Sequence, residues 1–236
     1  MKELWYITGD THADFSRFVA LPFDHNAHYN IIILGDAGVN YWLGKRDRLL
    51  KESITNDFPD VTFYLVRGNH EARPESLKTG CRQYNNLIQG EVIVEDEYPN
   101  IYYLLDGETY WFNGLKTLVI GGAYSVDKEY RQMMHWQWFS DEQLDATERE
   151  TITKRCEGQS WDIVLSHTCP FTMQPRHLFL SMVDQSKVDN SMELWLDDLR
   201  TKINYSHWWW GHYHGDWNYD DKHHMLFTNI IEFERK

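Results

Sequence analysis

Five short apolar runs in this 236-residue chain stop at a glycine or serine that is followed at once by side chains able to hold a metal ion. The five are Gly9-Asp10-Thr11-His12, Gly35-Asp36, Gly68-Asn69-His70-Glu71, Ser166-His167 and Gly211-His212-Tyr213-His214. Leaving Glu71 aside, together they carry two carboxylates, one amide oxygen and five imidazoles. Such a pattern constrains the fold: the runs are strands, and their carboxyl ends meet. Open α/β sheets gather ligands at that edge. A donor set of this size can hold two divalent cations side by side and still leave one imidazole for proton transfer.

Leu4 to Thr8, Ile31 to Leu34 and Val61 to Val66 read as the first three buried strands. Between the last two, Leu49, Leu50, Ile54 and Phe58 recur at helical spacing within Lys45–Phe58. Phe15, Phe18 and Val19 suggest a turn or two before Pro22. Strand and helix in alternation predict parallel pairing with helices on the sheet face. The middle differs. Asp106-Gly107 and Asn113-Gly114 separate Ile101–Leu105, Glu108–Phe112 and Leu115–Ile120, which predicts a three-strand antiparallel meander. Val92–Val94 adds a strand. Ser140 with Gln143 forms a capping-box pattern opening a helix that runs to Cys156. Asp162 to Leu165 and Ser206–Trp210 lead into the last two signatures. Met192, Trp195, Leu199 and Ile203 line one face of a helix, and Met225–Phe233 supplies one or two closing strands. The fold class expected is α/β: two packed mixed sheets flanked by helices, a four-layer α-β-β-α sandwich. No linker or repeat breaks the chain, so residues 1–236 are expected to form a single domain.

A net charge of −13 argues against a protein that grips nucleic acid by its phosphates. Three cysteines, Cys81, Cys156 and Cys169, show no paired spacing, which fits a reducing, cytoplasmic setting. No run approaches the ~20 apolar residues of a membrane span. The opening MKELWYITGD lacks the pattern of a signal peptide. Its 11 Trp, 14 Tyr and 11 Phe are read chiefly as core and pocket-wall residues.

The ordered set Asp-x-His, Gly-Asp, Gly-Asn-His-Glu, His and Gly-His-x-His, over positions 9 to 214, resembles the calcineurin-like metallophosphoesterases, and the segment Gly121-Gly122-Ala123-Tyr124-Ser125 resembles bacterial and phage-type members. The resemblance implies that Asp10, His12 and His214 hold one metal, that Asn69, His167 and His212 hold the other, and that Asp36 bridges the two with its two carboxylate oxygens. It also implies direct attack on phosphorus by a metal-bridging hydroxide. Asn69 helps hold the transferred group, and His70 serves as general acid to the leaving oxygen. In an extended segment Asp10 and His12 would point the same way, as would His212 and His214. Imidazole and carboxylate ligation without Cys points to manganese first, with iron, zinc, nickel or cobalt as alternatives. Two divalent ions against two carboxylates leave the centre positive, so a phosphate is attracted despite the acidic surface.

One departure narrows the activity. Phosphoprotein phosphatases of this family continue the Gly-Asp signature with an Asp three residues later, then Arg and Gly. Here the sequence reads Gly35-Asp36-Ala37-Gly38-Val39-Asn40, so no Asp orients His70 and no Arg follows. Arg67 either meets substrate or makes a salt bridge below the site. The stretch Gly121 to Arg131 offers Tyr124 and Arg131 as contacts to the substrate phosphate, with a plain Asp127–Arg131 helical pair as the alternative. Glu71 is expected to support the site rather than bind metal. His25, His28, His177, His207, His223 and His224 have no matching context and are read as surface or structural. The expected activity is hydrolysis of phosphomonoesters, phosphodiesters or both, with a small phosphoester or nucleotide as substrate. The alternatives are a phosphoprotein phosphatase or a non-catalytic metal-bound interaction module.

Overall fold

The computed structural model describes residues 2–21, 24 and 26–234. Strands form where the apolar runs stand. β1 (Lys2–Thr8) pairs in parallel with β2 (Ala27–Ile33). Helix α1 (Lys45–Asp57) then returns the chain as β3 (Val61–Leu65), parallel to β2. Thr8 lies beside Ile33, and Ile33 beside Leu65, so the three strands end level and release the first three signatures from one edge. β4 (Gly80–Asn85), β5 (Gly90–Glu95) and β6 (Ile101–Leu104) extend this sheet beyond β3.

A second sheet follows. β7 (Thr109–Phe112) and β8 (Leu115–Ile120) form a hairpin, and the short helix α2 (Lys128–Met133) and helix α3 (Ala146–Cys156) precede β9 (Ser160–Ser166). Helix α4 (Ser191–Lys202) leads to β10 (Asn204–Trp210), and β8, β9 and β10 run parallel. The chain ends with β11 (Trp217–Asn218) and β12 (His223–Met225) on the second sheet and β13 (Ile231–Glu232) on the first. The closing region therefore supplies two short strands to the second sheet and one to the first.

The continuous apolar runs are explained by burial on both faces. Ile32 and Leu34 face the layer between the sheets with Tyr64, Val119 and Leu165. Their neighbours Ile31 and Ile33 face outward against Ile54 and Phe58 of the α1 region. On the far side Val164, Trp208 and Trp210 pack against Ile152 of α3 and Met192, Leu196 and Leu199 of α4. The result is the four-layer arrangement of helix, sheet, sheet and helix. Leu49 alone of the expected α1 stripe turns to solvent. Among the described residues no helix is long and apolar enough to cross a membrane.

Three local expectations are corrected. The meander is a hairpin only in its second half: Asn113 and Gly114, both left-handed, join β7 to β8, but β6 pairs with β3 and β5 in the other sheet. Asp106-Gly107 is a crossover between sheets. Ile101, Tyr103 and Leu104 are buried, as a central strand requires. The Gly107 and Glu108 N–H groups bond within the turn and to β8, while Leu105 N–H donates to the Tyr110 hydroxyl. The helix expected from Ser140 starts at Ala146. Asp145 is its cap, accepting from the Thr147 and Glu148 amides, and Glu148 accepts from the Asp145 amide in return. Gln143 instead reaches Asp189. The polar, largely exposed β4 has no apolar run to announce it.

Candidate metal centre

The loops after β1, β2 and β3 interlock. The Thr11 and His12 amides both donate to Asp36 O, and the Ala13 amide donates to Ala37 O. Loops after β9 and β10 close from the second sheet, since the Gly211 amide donates to His167 O. All seven expected ligands converge in this way.

Asp10 is fully buried. Its Oδ1 accepts from the His212 amide at 2.9 Å, and its Oδ2 has no hydrogen-bond partner among the described residues. That bare oxygen lies 3.8 Å from His12 Nε2 and 3.5 Å from His214 Nε2, and the two ring nitrogens are 2.8 Å apart. Asp36 is held in the same manner. Its Oδ1 accepts from the His70 amide at 2.9 Å, and its Oδ2 lies 3.7 Å from His167 Nε2.

His167 supplies the sharpest test. Its Nδ1 faces the Leu34 carbonyl at 2.7 Å, which can only accept, so Nδ1 carries the proton. In the neutral ring Nε2 is then bare and faces Asn69 Oδ1 at 2.9 Å, one acceptor against another. Asn69 cannot turn its amide round cheaply, because its Nδ2 donates to Ser125 Oγ at 2.8 Å. Acceptors this close repel unless a cation lies between them. Ligands at ~2.0–2.2 Å from one divalent ion stand ~3 Å apart. The acceptor pairs and the partnerless Asp10 oxygen therefore fit bound metal. Burial lowers His12 and pushes His212 down to about 3, which keeps both in the neutral form that ligates.

The ligands fall into two sets. Asp10, His12 and His214 form one close group, and Asp10, Asp36 and His167 form another, with Asp10 common to both. The His212 ring packs edge-on against that of His167, 5.0 Å between centroids. Strand alternation does not aim these side chains. β1 stops at Thr8 and β10 at Trp210, while His12, Asp36, His212 and His214 all take left-handed backbone, with φ of +47°, +46°, +68° and +52°. Non-glycine residues adopt this region at a cost, and such residues cluster at functional sites.

The glycines of the signatures make room. A Cβ at Gly68 would fall on the Asp36 carboxylate and amide, and one at Gly211 on Asp10 Oδ1. Gly68→Ala is expected to weaken manganese binding by roughly 10–100-fold, as loss of a ligand's supporting shell does. Calorimetric titration with Mn²⁺ checks this, and wild-type affinity would contradict it.

Around the ligands stand residues that hold them. Glu71 is buried and accepts from the Gly38 and Gly68 amides, tying two signature loops together. Ser125 donates to Glu142, which also accepts from Trp138 Nε1, so the orientation of Asn69 is relayed inward from Glu142. Arg17 donates to the carbonyls of Asp10 and Phe227, and the Phe227 ring stacks on His214.

Of the three expected substrate contacts, Arg67 makes the salt bridge given as its alternative. It is buried below the site, bound to Asp106 and to the Glu142 carbonyl, and does not reach the mouth. Tyr124 lines the cavity that opens on His70. Arg131 makes the helical pair with Asp127 and also donates from Nη2 to His70 Nε2 at 3.1 Å. Its Nη1 donates to the Tyr41 hydroxyl at 2.8 Å. Val39 is buried in the core and offers His70 no carboxylate. Tyr41, Ser125, Glu142 and Arg17 were not legible as site residues. Their roles depend on contacts 7 to 210 positions away.

The remaining histidines stand apart. His28 meets Thr62, His177 packs near Trp217, His207 meets His224, and His223 pairs with Asp220. His25 lies outside the described residues, as does Pro22.

A family model described as calcineurin-like phosphoesterase matches residues 6–216, a span that includes every ligand above. No curated protein sequence matches the chain.

Proposed function

The chain belongs to the calcineurin-like phosphoesterase family, the metal-dependent phosphoric ester hydrolases, and on that premise we propose a dinuclear centre acting on small phosphomonoesters or phosphodiesters. Asp10, His12 and His214 would hold one ion, and Asn69, His167 and His212 the other. Asp36, whose Oδ1 also accepts from the His70 amide, would be shared between the two ions. Manganese is the first expectation. When bound, the ions supply positive charge to a phosphoryl group and acidify water. The observation that carries this reading is the His167 Nε2–Asn69 Oδ1 contact, two acceptors at 2.9 Å around a place that only a cation fills well.

The chain's own groups do the rest. Asn69, fixed by Ser125, presents its carbonyl oxygen to one ion from within the site. His70 stands at the mouth with its side chain 21% exposed, near enough to Asp36 Oδ2 at 3.8 Å to reach a departing oxygen and protonate it. Arg131 offers a planar fork of N–H donors, which suits a phosphate, and Tyr41 and Asp127 hold that fork over the site. Residues 1–236 act as one domain in this reading, since both sheets contribute ligands. Three free cysteines fit a reducing compartment, and a cytoplasmic setting belongs to the same proposal.

Hydrolysis of p-nitrophenyl phosphate and bis-p-nitrophenyl phosphate with added Mn²⁺ tests the activity. At least one ester should turn over, and a chelator should stop it. Failure of both would contradict the proposal. Arg131→Ala should raise KM for the monoester by about tenfold or more, the worth of a charge-assisted pair at about 1.4 kcal/mol per decade. An unchanged KM would remove Arg131 from the phosphate.

A further inference from the structure

One contact in the centre runs against what Asn69 and His167 would choose by themselves. With a proton on Nδ1, the neutral ring of His167 offers a bare Nε2 2.9 Å from Asn69 Oδ1. Before an ion arrives, turning the Asn69 amide end for end would put an N–H there and make a hydrogen bond. Both side chains are buried, where facing acceptors cost most.

The other end of the amide explains why it does not turn. Asn69 Nδ2 donates to Ser125 Oγ at 2.8 Å, and Ser125 Oγ donates in turn to Glu142 Oε2. Glu142 is only 3% exposed and takes two further donors: the Ser125 amide on Oε1 at 3.0 Å and Trp138 Nε1 on Oε2 at 2.9 Å. A backbone amide and an indole can only donate, so the surroundings of Glu142 suit a carboxylate that accepts on both oxygens. A hydroxyl has one proton to give. While Glu142 takes it, Ser125 offers Asn69 only a lone pair, and Asn69 must answer with its N–H. Its carbonyl oxygen is left for the ion. In the turned arrangement the Ser125 proton would go to Asn69 Oδ1, and Ser125 Oγ would face Glu142 Oε2 as one acceptor against another. Leaving a buried carboxylate short of a donor costs more than leaving a neutral group so. The His70 ring nitrogens, 3.3 Å from Asn69 Nδ2, set no direction, because an imidazole can give or take a proton.

We propose that Glu142 is a positioning residue for the metal centre. Through the single proton of Ser125 it fixes which end of the Asn69 amide meets the ion, and so sets the affinity of the ion that Asn69 and His167 share. This rests on the dinuclear reading above. The role also says which ion suffers when the relay is cut. Asp10, His12 and His214 hold theirs without Asn69, so that site should keep its affinity.

The test is calorimetric titration with Mn²⁺ in two backgrounds. Burial pushes the Glu142 carboxyl up, so the titrations are run at about pH 8, well above the usual carboxylate range. Ser125→Ala removes the relayed proton. Glu142→Gln puts an N–H where an acceptor stood, which frees Ser125 to give its proton to Asn69. Each should weaken one of the two ions by roughly 10–100-fold and leave the other unchanged, the usual effect of losing a ligand's outer partner. Asn69→Asp supplies the second background. A carboxylate has an oxygen at either end and needs no orienting, so there the same two substitutions should cost less than about threefold. Losses of equal size in both backgrounds would mark a contact that only supports the fold, and would overturn the proposal. So would wild-type affinity in Ser125→Ala, or an Asn69→Asp protein that no longer holds that ion. Ser125→Ala is the milder change and covers the case in which Glu142→Gln misfolds, which thermal melting without metal reveals. Two ions in wild type with Ser125→Ala unaffected rejects the relay and keeps the centre. Fewer than two ions in wild type rejects the dinuclear reading, and the relay with it.

Discussion

Asp36→Asn is expected to lower turnover of p-nitrophenyl phosphate by roughly 10³-fold and to leave fewer than two manganese ions bound per chain. Metal charge at a phosphoryl group is worth several kcal/mol, and each ~1.4 kcal/mol is tenfold in rate. The substitution is nearly isosteric. Asn keeps an oxygen to accept from the His70 amide, the bond that fixes Asp36 in place. What it loses is a negative charge at the oxygen 3.7 Å from His167 Nε2. Burial opposes ionisation of Asp36, yet positive charge on the neighbouring rings of His70, His167 and His12 would hold its carboxyl well below the usual carboxylate range. The position is thus built for an anion, and a neutral amide there leaves divalent ions under-compensated. Metal content by mass spectrometry and steady-state rates check this together. Near wild-type turnover with both ions retained would remove Asp36 from the centre.

His70→Asn separates proton transfer from metal binding. The variant should keep full manganese content and lose about 10²–10⁴-fold in turnover of an alkyl phosphate, the usual worth of a general acid. The loss should be smaller for p-nitrophenyl phosphate, because nitrophenolate departs with little protonation. His70 is placed for such a role. It is partly exposed, its backbone amide is tied to Asp36, and its Nε2 lies 3.8 Å from Asp36 Oδ2 at the edge of the centre. Loss of metal in this variant, or equal losses for alkyl and nitrophenyl esters, would contradict the assignment. Comparing the two variants distinguishes a residue that holds charge from one that moves a proton.

Much of the centre was legible because its residues sit at the ends of apolar runs, where strand geometry leaves few places to go. Asp10, Asp36, Asn69 and His167 were found in this way. The reason given for the aim of His12, His212 and His214 was wrong. They converge through left-handed turns, which no side-chain periodicity announces. The crossover at Asp106-Gly107 failed for a related reason. A positive-φ dipeptide marks a sharp turn, but it does not say whether the next strand pairs with the last or with another sheet. The capping box was misplaced by five residues because Ser140–Gln143 and Asp145–Glu148 carry the same local pattern, and only the second has its hydrogen bonds made. Tyr41 and Glu142 act through partners 90 and 17 positions away, beyond the reach of any local pattern.

The fold brings these loops together, and the bare acceptors in them fit bound cations. Anomalous diffraction from a manganese-soaked crystal measures this directly. Two peaks are expected roughly 3.5–4 Å apart, one against Asp10, His12 and His214, the other against Asn69, His167 and His212, with the Asp36 carboxylate between them. A single peak, or none, with His167 Nε2 and Asn69 Oδ1 still in contact, would contradict the account.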